Sequence, residues 1–225
     1  MSVHLHRELD RLRGRLLGLA GEVEQQLQKA ITAVLNRDPQ LADEVEAGDR
    51  KIDQFEVELE EECLKVLALY QPVAADLRFL ITVLKINNDL ERVGDLAVNI
   101  ARKARTLSQM PPVRMPFDLD GMWRKVQEML RQSVDSLVNG DADAAEDVCK
   151  RDEAVNAQKK AIRQQVEQLI EQHPDQVKTW LQVLAVSRNL ERVADHATNI
   201  AEDVIYLVRG HIVRHPARFR DRDQD

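Results

Sequence analysis

The chain has 225 residues and 44% of them are hydrophobic, so it can bury one or two apolar cores without disulfides or a structural metal. Its formal net charge of −7 argues against a general nucleic-acid binder, because the phosphate backbone selects a basic face. Only 8 Gly and 7 Pro interrupt a sequence rich in Leu, Ala, Glu, Gln and Arg, which favour helices. The composition therefore predicts an all-α protein.

The cellular compartment is indicated by the cysteines and by what the N-terminus lacks. Cys63 and Cys149 lie far apart within helical patterns, which is typical of two reduced, packed thiols in the cytosol. The N-terminus is polar and carries no continuous apolar segment of the kind found in signal peptides. No apolar run approaches the roughly 20 residues that a membrane-spanning helix needs. We therefore expect a soluble cytoplasmic protein that meets a membrane only through its partners.

Three helices are predicted in the first half of the chain. Apolar residues recur in steps of three and four from Leu9 onward, which predicts one long helix. Asp38 is expected to cap a second helix that has Pro39 in its first turn and runs to about residue 70. Gln71-Pro72 ends that helix, and a third helix continues the apolar pattern to about residue 107.

The same order of helices repeats in the second half. Prolines at 111, 112 and 116 mark the boundary between the halves. A fourth helix is expected at 119–138, a fifth from the cap Asp141 to about 172, and a sixth that ends near 208 with Gly210 as its C-cap. The predicted domains are therefore a first three-helix repeat at 1–110, a second at 117–210, and a mobile tail at 211–225.

The duplication is also visible in the residues. Residues 88–101 read NDLERVGDLAVNIA and residues 188–201 read RNLERVADHATNIA, with nine of fourteen positions identical at a constant offset of 100. Chance does not readily produce such a match. We therefore predict two tandem three-helix bundles, six long helices in all, in which short connections make neighbouring helices antiparallel.

Rows of carboxylates accompany the duplicated segment. Residues spaced by four lie on one face of a helix, and oxygen ligands there suit a hard cation. Two such rows occur on the third and sixth helices, and shorter rows precede them on the second and fifth: Glu91, Asp95 and Asn99; Glu191, Asp195 and Asn199; Asp49 and Asp53; Asp152 and Asn156.

Facing rows would bring like charges together. Two carboxylates about 4 Å apart repel by roughly 4 kcal/mol at an effective dielectric of about 20, so a cation, an arginine or a proton should offset them. The first half gathers four negative charges and the second three, which predicts two unequal metal sites with the first the tighter. The alternative is a solvated face on which Arg92 and Arg192 form surface ion pairs. His196 is either an additional metal ligand in the second half or an exposed histidine that binds no metal.

These motifs resemble the PhoU family. The resemblance rests on the repeated L-E-R-V-x-D-x-A-x-N-I-A, on residues 71–78 (QPVAADLR) and on residues 23–27 (VEQQL), and it covers nearly the whole chain. It implies a cytoplasmic negative regulator of the phosphate-starvation response. The implied partners are the ATPase of the phosphate ABC transporter and a phosphate-sensing histidine kinase, and a homodimer is expected.

The resemblance also implies metal ligands. Paired E(D)-x-x-x-D motifs in the family bind metal ions, here Fe, Zn, Mn or Mg in a divalent or ferric state. The corresponding residues are Asp49, Asp53, Glu91, Asp95, Asp152, Asn156, Glu191 and Asp195. Because Asn156 departs from the motif, the second site should be weaker or differently occupied.

Two other functions compete with this interpretation. A di-metal carboxylate enzyme would need inward-facing Glu-x-x-His motifs, which the chain lacks, so we expect no catalytic activity. A structural helical adaptor would leave the acidic rows as solvated surface. Metal analysis after purification without chelator separates the adaptor from the metal-binding regulator.

Overall fold

A computed structural model describes residues 3–210, and the predicted mobile tail lies outside the described residues. Six α-helices and one short 3-10 turn at Pro174–Gln176 make up the fold. The helices are α1 (Val3–Asn36), α2 (Pro39–Tyr70), α3 (Ala74–Ser108), α4 (Leu119–Asn139), α5 (Ala142–Gln172) and α6 (Val177–Arg209). The six predicted helices are confirmed.

The first helix differs from the prediction at its N-terminus. It begins at Val3 rather than near Leu9, because Leu5 extends the apolar stripe by one further turn and is only 6% exposed. The 3-10 turn between α5 and α6 was also not predicted. It begins at Pro174, whose fixed φ suits the first position of a helical turn.

The predicted caps start the second helix of each half. One carboxylate oxygen of Asp38 accepts hydrogen bonds from the backbone N–H groups of Gln40 and Leu41, at 2.9 and 3.0 Å. Asp141 does the same at the start of α5. Gly210 ends α6 with φ of 77°, a left-handed conformation that glycine adopts without steric cost. The second helix of each half is therefore capped by an aspartate in the same way.

The two halves share one apolar core. Helices α1 to α3 pack together, as do α4 to α6, and α3 lies along α6 in the middle of the molecule. Buried apolar side chains form a single cluster that spans all six helices. Within the described residues, α2 packs only on α1 and α3, and α5 packs on α4, α6 and the 3-10 turn. Each half therefore has its own outer groove, α2–α3 in the first and α5–α6 in the second.

None of the helices between residues 3 and 210 combines the length and the apolar character needed to cross a bilayer.

Candidate metal centre

Helices α2 and α3 bring the acidic rows of the first half together. Burial raises the pKa of Asp49, and the negative charges of Asp53 and Asp95 raise it further. Burial likewise raises the pKa of Glu91, and repulsion by Asp95 adds to the effect. The four carboxylates predicted for the first half therefore lie in one electrostatically coupled cluster.

A glycine allows the close approach of the two helices. A Cβ atom at Gly94 would lie 3.1 Å from Cγ2 and 3.3 Å from Cδ1 of Ile52. Ile52 is 2% exposed and packs on the backbone of α3 at this point. Because Gly94 directly precedes Asp95, and Ile52 directly precedes Asp53, the contact sets the separation of the two acidic rows.

The structure adds a fifth carboxylate that sequence reasoning missed. Glu56 follows Asp53 by three residues on α2, and its negative charge contributes to the raised pKa of Glu91. The pKa of Glu56 is itself raised, first by burial and then by Glu60 and Asp53. The spacing of Asp49, Asp53 and Glu56, at i, i+4 and i+7, is the sequence signal that could have identified it.

An arginine partly offsets these charges. Arg92 places Nε 3.3 Å from Oε2 of Glu91 and a terminal nitrogen 3.2 Å from Oδ2 of Asp95. The ion pair with Asp95 that the solvated-face alternative expected is therefore present. The Arg92 side chain is 52% exposed, so each pair contributes only about 0–1 kcal/mol. The charge of Arg102 also lowers the pKa of Asp49 against the larger effects that raise it. Two guanidinium groups do not neutralise five carboxylates.

One oxygen in this groove is shielded from solvent. It is Oε2 of Glu91, whose side chain is 21% exposed and whose partner is Nε of Arg92 in the ion pair at 3.3 Å. Carboxylate oxygens are the ligands that a hard cation takes. The donor atoms of the first half are therefore of the chemical type that such a cation binds.

The second half gathers the matching residues in the α5–α6 groove. Burial raises the pKa of Asp152, and the charge of Glu191 raises it further. The pKa of Asp195 is raised by burial, by Glu191 and by Asp152. Asn156 donates a hydrogen bond to Oδ2 of Asp152 at 2.7 Å, while Oδ1 of Asp152 is shielded from solvent and has no donor.

A lysine lies inside this second cluster. Lys159 donates a hydrogen bond from Nζ to Oε1 of Glu191 at 2.5 Å, and its charge lowers the pKa of Asp195 against the larger effects that raise it. Sequence reasoning missed Lys159 also, although it follows Asp152 and Asn156 in the same i, i+4, i+7 pattern. The second groove therefore already contains a positive charge.

His196 faces the junction between the halves. Its Nδ1 lies 2.8 Å from Oδ1 of Asp89 on α3, and the amide of Asn199 donates to the same oxygen at 3.3 Å. The histidine side chain is only 18% exposed, so the expectation of an exposed histidine was wrong. Its position on α6 turns it toward α3, where Asp89 supplies a partner.

Across residues 3–210, no three His, Cys, Asp or Glu side chains are arranged as a ready-made metal centre. The eight ligands predicted from the sequence are brought together in two groups of four, one in each groove. Their role as ligands and the identity of the metal stay predictions.

The fold and the two grooves define a class of protein, a tandem pair of three-helix bundles that share one core and carry carboxylates in each half. The chain belongs to the PhoU family, because the PhoU domain matches residues 16–104 and 119–204. The two matches fall within the two predicted repeats.

Curated relatives extend over most of the chain. It is 39% identical over 217 residues to the phosphate-specific transport system accessory protein PhoU homolog of Pseudomonas putida, covering 96% of this chain and 84% of the relative. It is 32% identical to the phosphate-specific transport system accessory protein PhoU of Escherichia coli strain K12, covering 96% of this chain and 89% of the relative.

Solved structures share the fold. The crystal structure of PhoU from Pseudomonas aeruginosa superposes with a TM-score of 0.88 at 37% identity, covering 92% of this chain and 99% of that one. PhoU from Streptococcus pneumoniae, described as a phosphate transport system regulatory protein, has a TM-score of 0.86 at 29% identity, with coverage of 93% and 99%. The family is one of accessory regulatory proteins and not of enzymes, as predicted.

Proposed function

We propose that this chain is a cytoplasmic negative regulator of the phosphate-starvation response that serves a phosphate-specific transport system. One observation carries the proposal: relatives named as accessory proteins of that system match 96% of the chain at 32–39% identity. The fold supports it, since long helices offer extended docking surfaces.

The regulatory part is tested by deleting the gene and measuring a phosphate-starvation reporter in phosphate-rich medium. We expect the deletion strain to express the reporter at high phosphate, and the wild-type gene supplied in trans to silence it. A reporter that stays silent in the deletion strain would refute the proposal.

The proposed partners are the ATPase of the phosphate transporter and the phosphate-sensing histidine kinase. Affinity capture from cells, after brief crosslinking, should recover one of them with the tagged chain. Capture of neither, while another tagged cytoplasmic complex survives the same procedure, would contradict the partner assignment.

We assign metal binding in the first place to the α2–α3 groove. Asp49, Asp53, Glu91 and Asp95 are the predicted ligands, and Glu56 adds a fifth carboxylate close to Glu91. The support is the crowding of negative charge, which Arg92 offsets only in part. A bound cation would relieve the repulsion.

This assignment is tested by metal analysis after purification without chelator and by thermal unfolding with added Mg²⁺, Mn²⁺, Zn²⁺ or Fe. A metal at 100 times its dissociation constant stabilises the folded state by about 2.7 kcal/mol, which raises the Tm of a chain of this size by roughly 5–10 °C. A purified protein without metal, whose Tm none of the four ions moves, would leave the structural adaptor as the function of this fold. Sedimentation at several concentrations tests the predicted homodimer.

A further inference from the structure

The two halves carry opposite charges at matched surface positions. The capping aspartates align α2 with α5 at an offset of 103, and the repeated segment aligns α3 with α6 at an offset of 100. With these offsets, three acidic residues correspond to three basic ones: Glu56 to Lys159, Glu60 to Arg163, and Glu202 to Arg102. In addition, the neutral Asn88 of α3 corresponds to Arg188 of α6.

The three acids surround one part of α3. Glu202 and Asn88 line a cavity of about 610 Å³ between α3 and α6. On the other side of α3, the amide of Asn87 donates a hydrogen bond to the backbone carbonyl of Glu56 at 2.9 Å, and Glu60 follows one turn later on α2. Neither Glu56 nor Glu60 forms an ion pair within 4.0 Å with any described cation. These three acids, with Asn88 between them, are the acidic patch.

The matching bases surround the equivalent part of α6. Lys159 and Arg163 of α5 line a cavity of about 360 Å³ together with Arg188 of α6. Arg188 forms no ion pair within 4.0 Å with any described carboxylate. Arg163 pairs with Glu167 of its own helix, but both side chains are more than half exposed, so the pair contributes little. These three bases and Arg102 are the basic patch.

Exposed apolar side chains accompany both patches. Ile81 is 38% exposed and lines the same cavity as Glu202. Its match at the offset of 100 is Leu181, which is 52% exposed and lies one turn before Leu184 in the wall of the basic cavity. An apolar centre with a charged rim is the usual composition of a protein–protein interface. Each patch therefore has the composition of one half of an interface.

An approximate twofold axis relates the two patches. Lys85 lies 3.2 Å from Asp203, and the amide of Asn199 donates to Asp89 at 3.3 Å, so the matched helices α3 and α6 are antiparallel. An axis that exchanges two antiparallel helices is perpendicular to the plane of both. It therefore keeps both patches on the same face of the molecule, which α2, α3, α6 and α5 form, and it places Arg102 near the basic cavity as Glu202 lies near the acidic one.

We infer that a second copy of this chain docks on the α2–α3–α6–α5 face, with the acidic patch of each copy against the basic patch of the other. A twofold axis that lies in this face, perpendicular to the line between the two patches, forms both contacts at once and closes the dimer. A partner with one sign of charge would complement one patch only, whereas a second copy carries both at the required separation. The inference rests on the homodimer expected under the proposed function and assigns the surface through which that dimer forms.

The test reverses the charge of each patch and measures the dimer dissociation constant of the full chain by sedimentation equilibrium. The acid-reversed variant carries Glu60→Lys and Glu202→Lys, and the base-reversed variant carries Arg163→Glu and Arg188→Glu. Each variant alone would place like charges in both contacts of its own dimer. We expect each to self-associate at least about tenfold more weakly than the wild type. Wild-type affinity in both variants would overturn the inference.

Two residues of the patches are left unchanged for physical reasons. Lys159 already donates to Glu191 at 2.5 Å, so its substitution would leave a carboxylate that is only 15% exposed without its partner. Glu56 belongs to the carboxylates of the α2–α3 groove, so its substitution would change the proposed metal site as well. The chosen substitutions therefore test the docking surface separately from both.

Mixing the two variants gives the decisive result. In a heterodimer, the reversed acidic patch of one chain meets the reversed basic patch of the other, and the two unchanged patches also meet as opposites. We expect an equimolar mixture to form heterodimers with a dissociation constant within about threefold of the wild-type value. A mixture that associates no better than the separate variants would overturn the inference.

Matched controls separate docking from a general change of charge. Glu128→Lys with Asp135→Lys, and Arg124→Glu with Arg131→Glu, reverse equal numbers of charges on α4, outside the proposed face. All four side chains are more than three-fifths exposed. Each control should change the dissociation constant by less than about twofold, since exposed charges away from the interface are screened. Equal weakening in the controls would refute the assigned surface.

Failure of the inference and failure of the proposed function give different results. A wild-type chain that stays monomeric refutes both the docking surface and the predicted homodimer, whereas a dimer that neither variant weakens refutes the docking surface alone. The regulatory role is decided separately by the starvation reporter. Circular dichroism and Tm confirm that each variant is folded. If a double variant melts far below the wild type, Glu60→Lys and Arg163→Glu, both at exposed positions, carry the same test as single changes.

Discussion

The contact between Gly94 and Ile52 should make these two residues energetically dependent on each other. In Gly94→Ala, the new methyl group would lie 3.1 and 3.3 Å from two carbons of Ile52, which is tighter than most Cβ contacts, so Ile52 would have to shift. Crowding of this kind in a buried site costs about 1–3 kcal/mol. Alanine recovers about 1 kcal/mol through its higher helix propensity, so we expect a net loss of about 0–2 kcal/mol in the free energy of unfolding.

Shortening Ile52 should reduce that loss. Ile52→Val alone removes a buried methyl group and costs about 0.5–1.5 kcal/mol. Combined with Gly94→Ala, it also removes Cδ1, which is one of the two crowded atoms. The double variant should therefore be more stable than the sum of the single changes predicts, by about 1 kcal/mol. The second half carries this combination naturally, with Val155 and Ala194 at the matched positions.

The assay is urea unfolding followed by circular dichroism for the wild type, both single variants and the double variant. Gly14→Ala is the control, because a Cβ there has open space around it and should stabilise the exposed helix position by about 1 kcal/mol. Gly14→Ala and Ile52→Val should add within about 0.5 kcal/mol. If Gly94→Ala and Ile52→Val are equally additive, Ile52 does not determine how closely α2 approaches α3.

Three further predictions concern the caps and the acidic groove. Asp38→Ala should lower the free energy of unfolding by about 1 kcal/mol, because two backbone N–H groups at the start of α2 lose their acceptor, while Asp38→Asn should retain most of it in urea unfolding. Arg37→Ala should lower the free energy of unfolding by about 2 kcal/mol, because the guanidinium donates to the carbonyls of Leu107 and Met110 at the end of α3. Hydrogen exchange of the backbone amides there should accelerate, and unchanged exchange would contradict the prediction. Glu91→Gln should become more stable than the wild type as pH rises. The folded-state pKa of Glu91 is raised, so the stabilising contribution of Glu91 is complete below its ordinary pKa of 4.5 and is lost as pH rises through the raised pKa. Glutamine cannot ionise, so the variant does not undergo this loss. In metal-free buffer the difference in Tm should therefore be small at pH 4 and favour the variant at pH 7, and a difference independent of pH would refute the reasoning.

Helix order and ends could be predicted because their signals are local. Asp38 and Asp141 accept hydrogen bonds from backbone N–H groups two and three residues further along the chain. Gly210 ends α6 because a residue without a side chain adopts the left-handed conformation at no steric cost. The N-terminal turn of α1 was missed because Leu5 is an isolated apolar residue among polar ones, and only its burial against the core shows that the helix includes it.

The site was predicted less completely, because its charge balance depends on which faces meet. The acidic rows on α3 and α6 are visible from their repetition, and the structure sets them against α2 and α5. Glu56 and Lys159 lie in the same helical register as the predicted ligands. The effect of their opposite charges on the site follows only when the facing helix is known. His196 was misplaced for the same reason, since its partner Asp89 lies 107 residues away.

The sequence by itself determined that this protein is an all-helical duplication of the PhoU family. Helix periodicity, capping residues and the constant offset between the repeats are all visible in the order of the residues. Only the tertiary structure decided that the halves share one core through α3 and α6, and that each outer groove balances its charges differently. The physical reason is the distance along the sequence over which each interaction acts. Capping and amphipathic patterns act over a few residues, whereas desolvation and repulsion between carboxylates depend on side chains that folding brings together from distant helices.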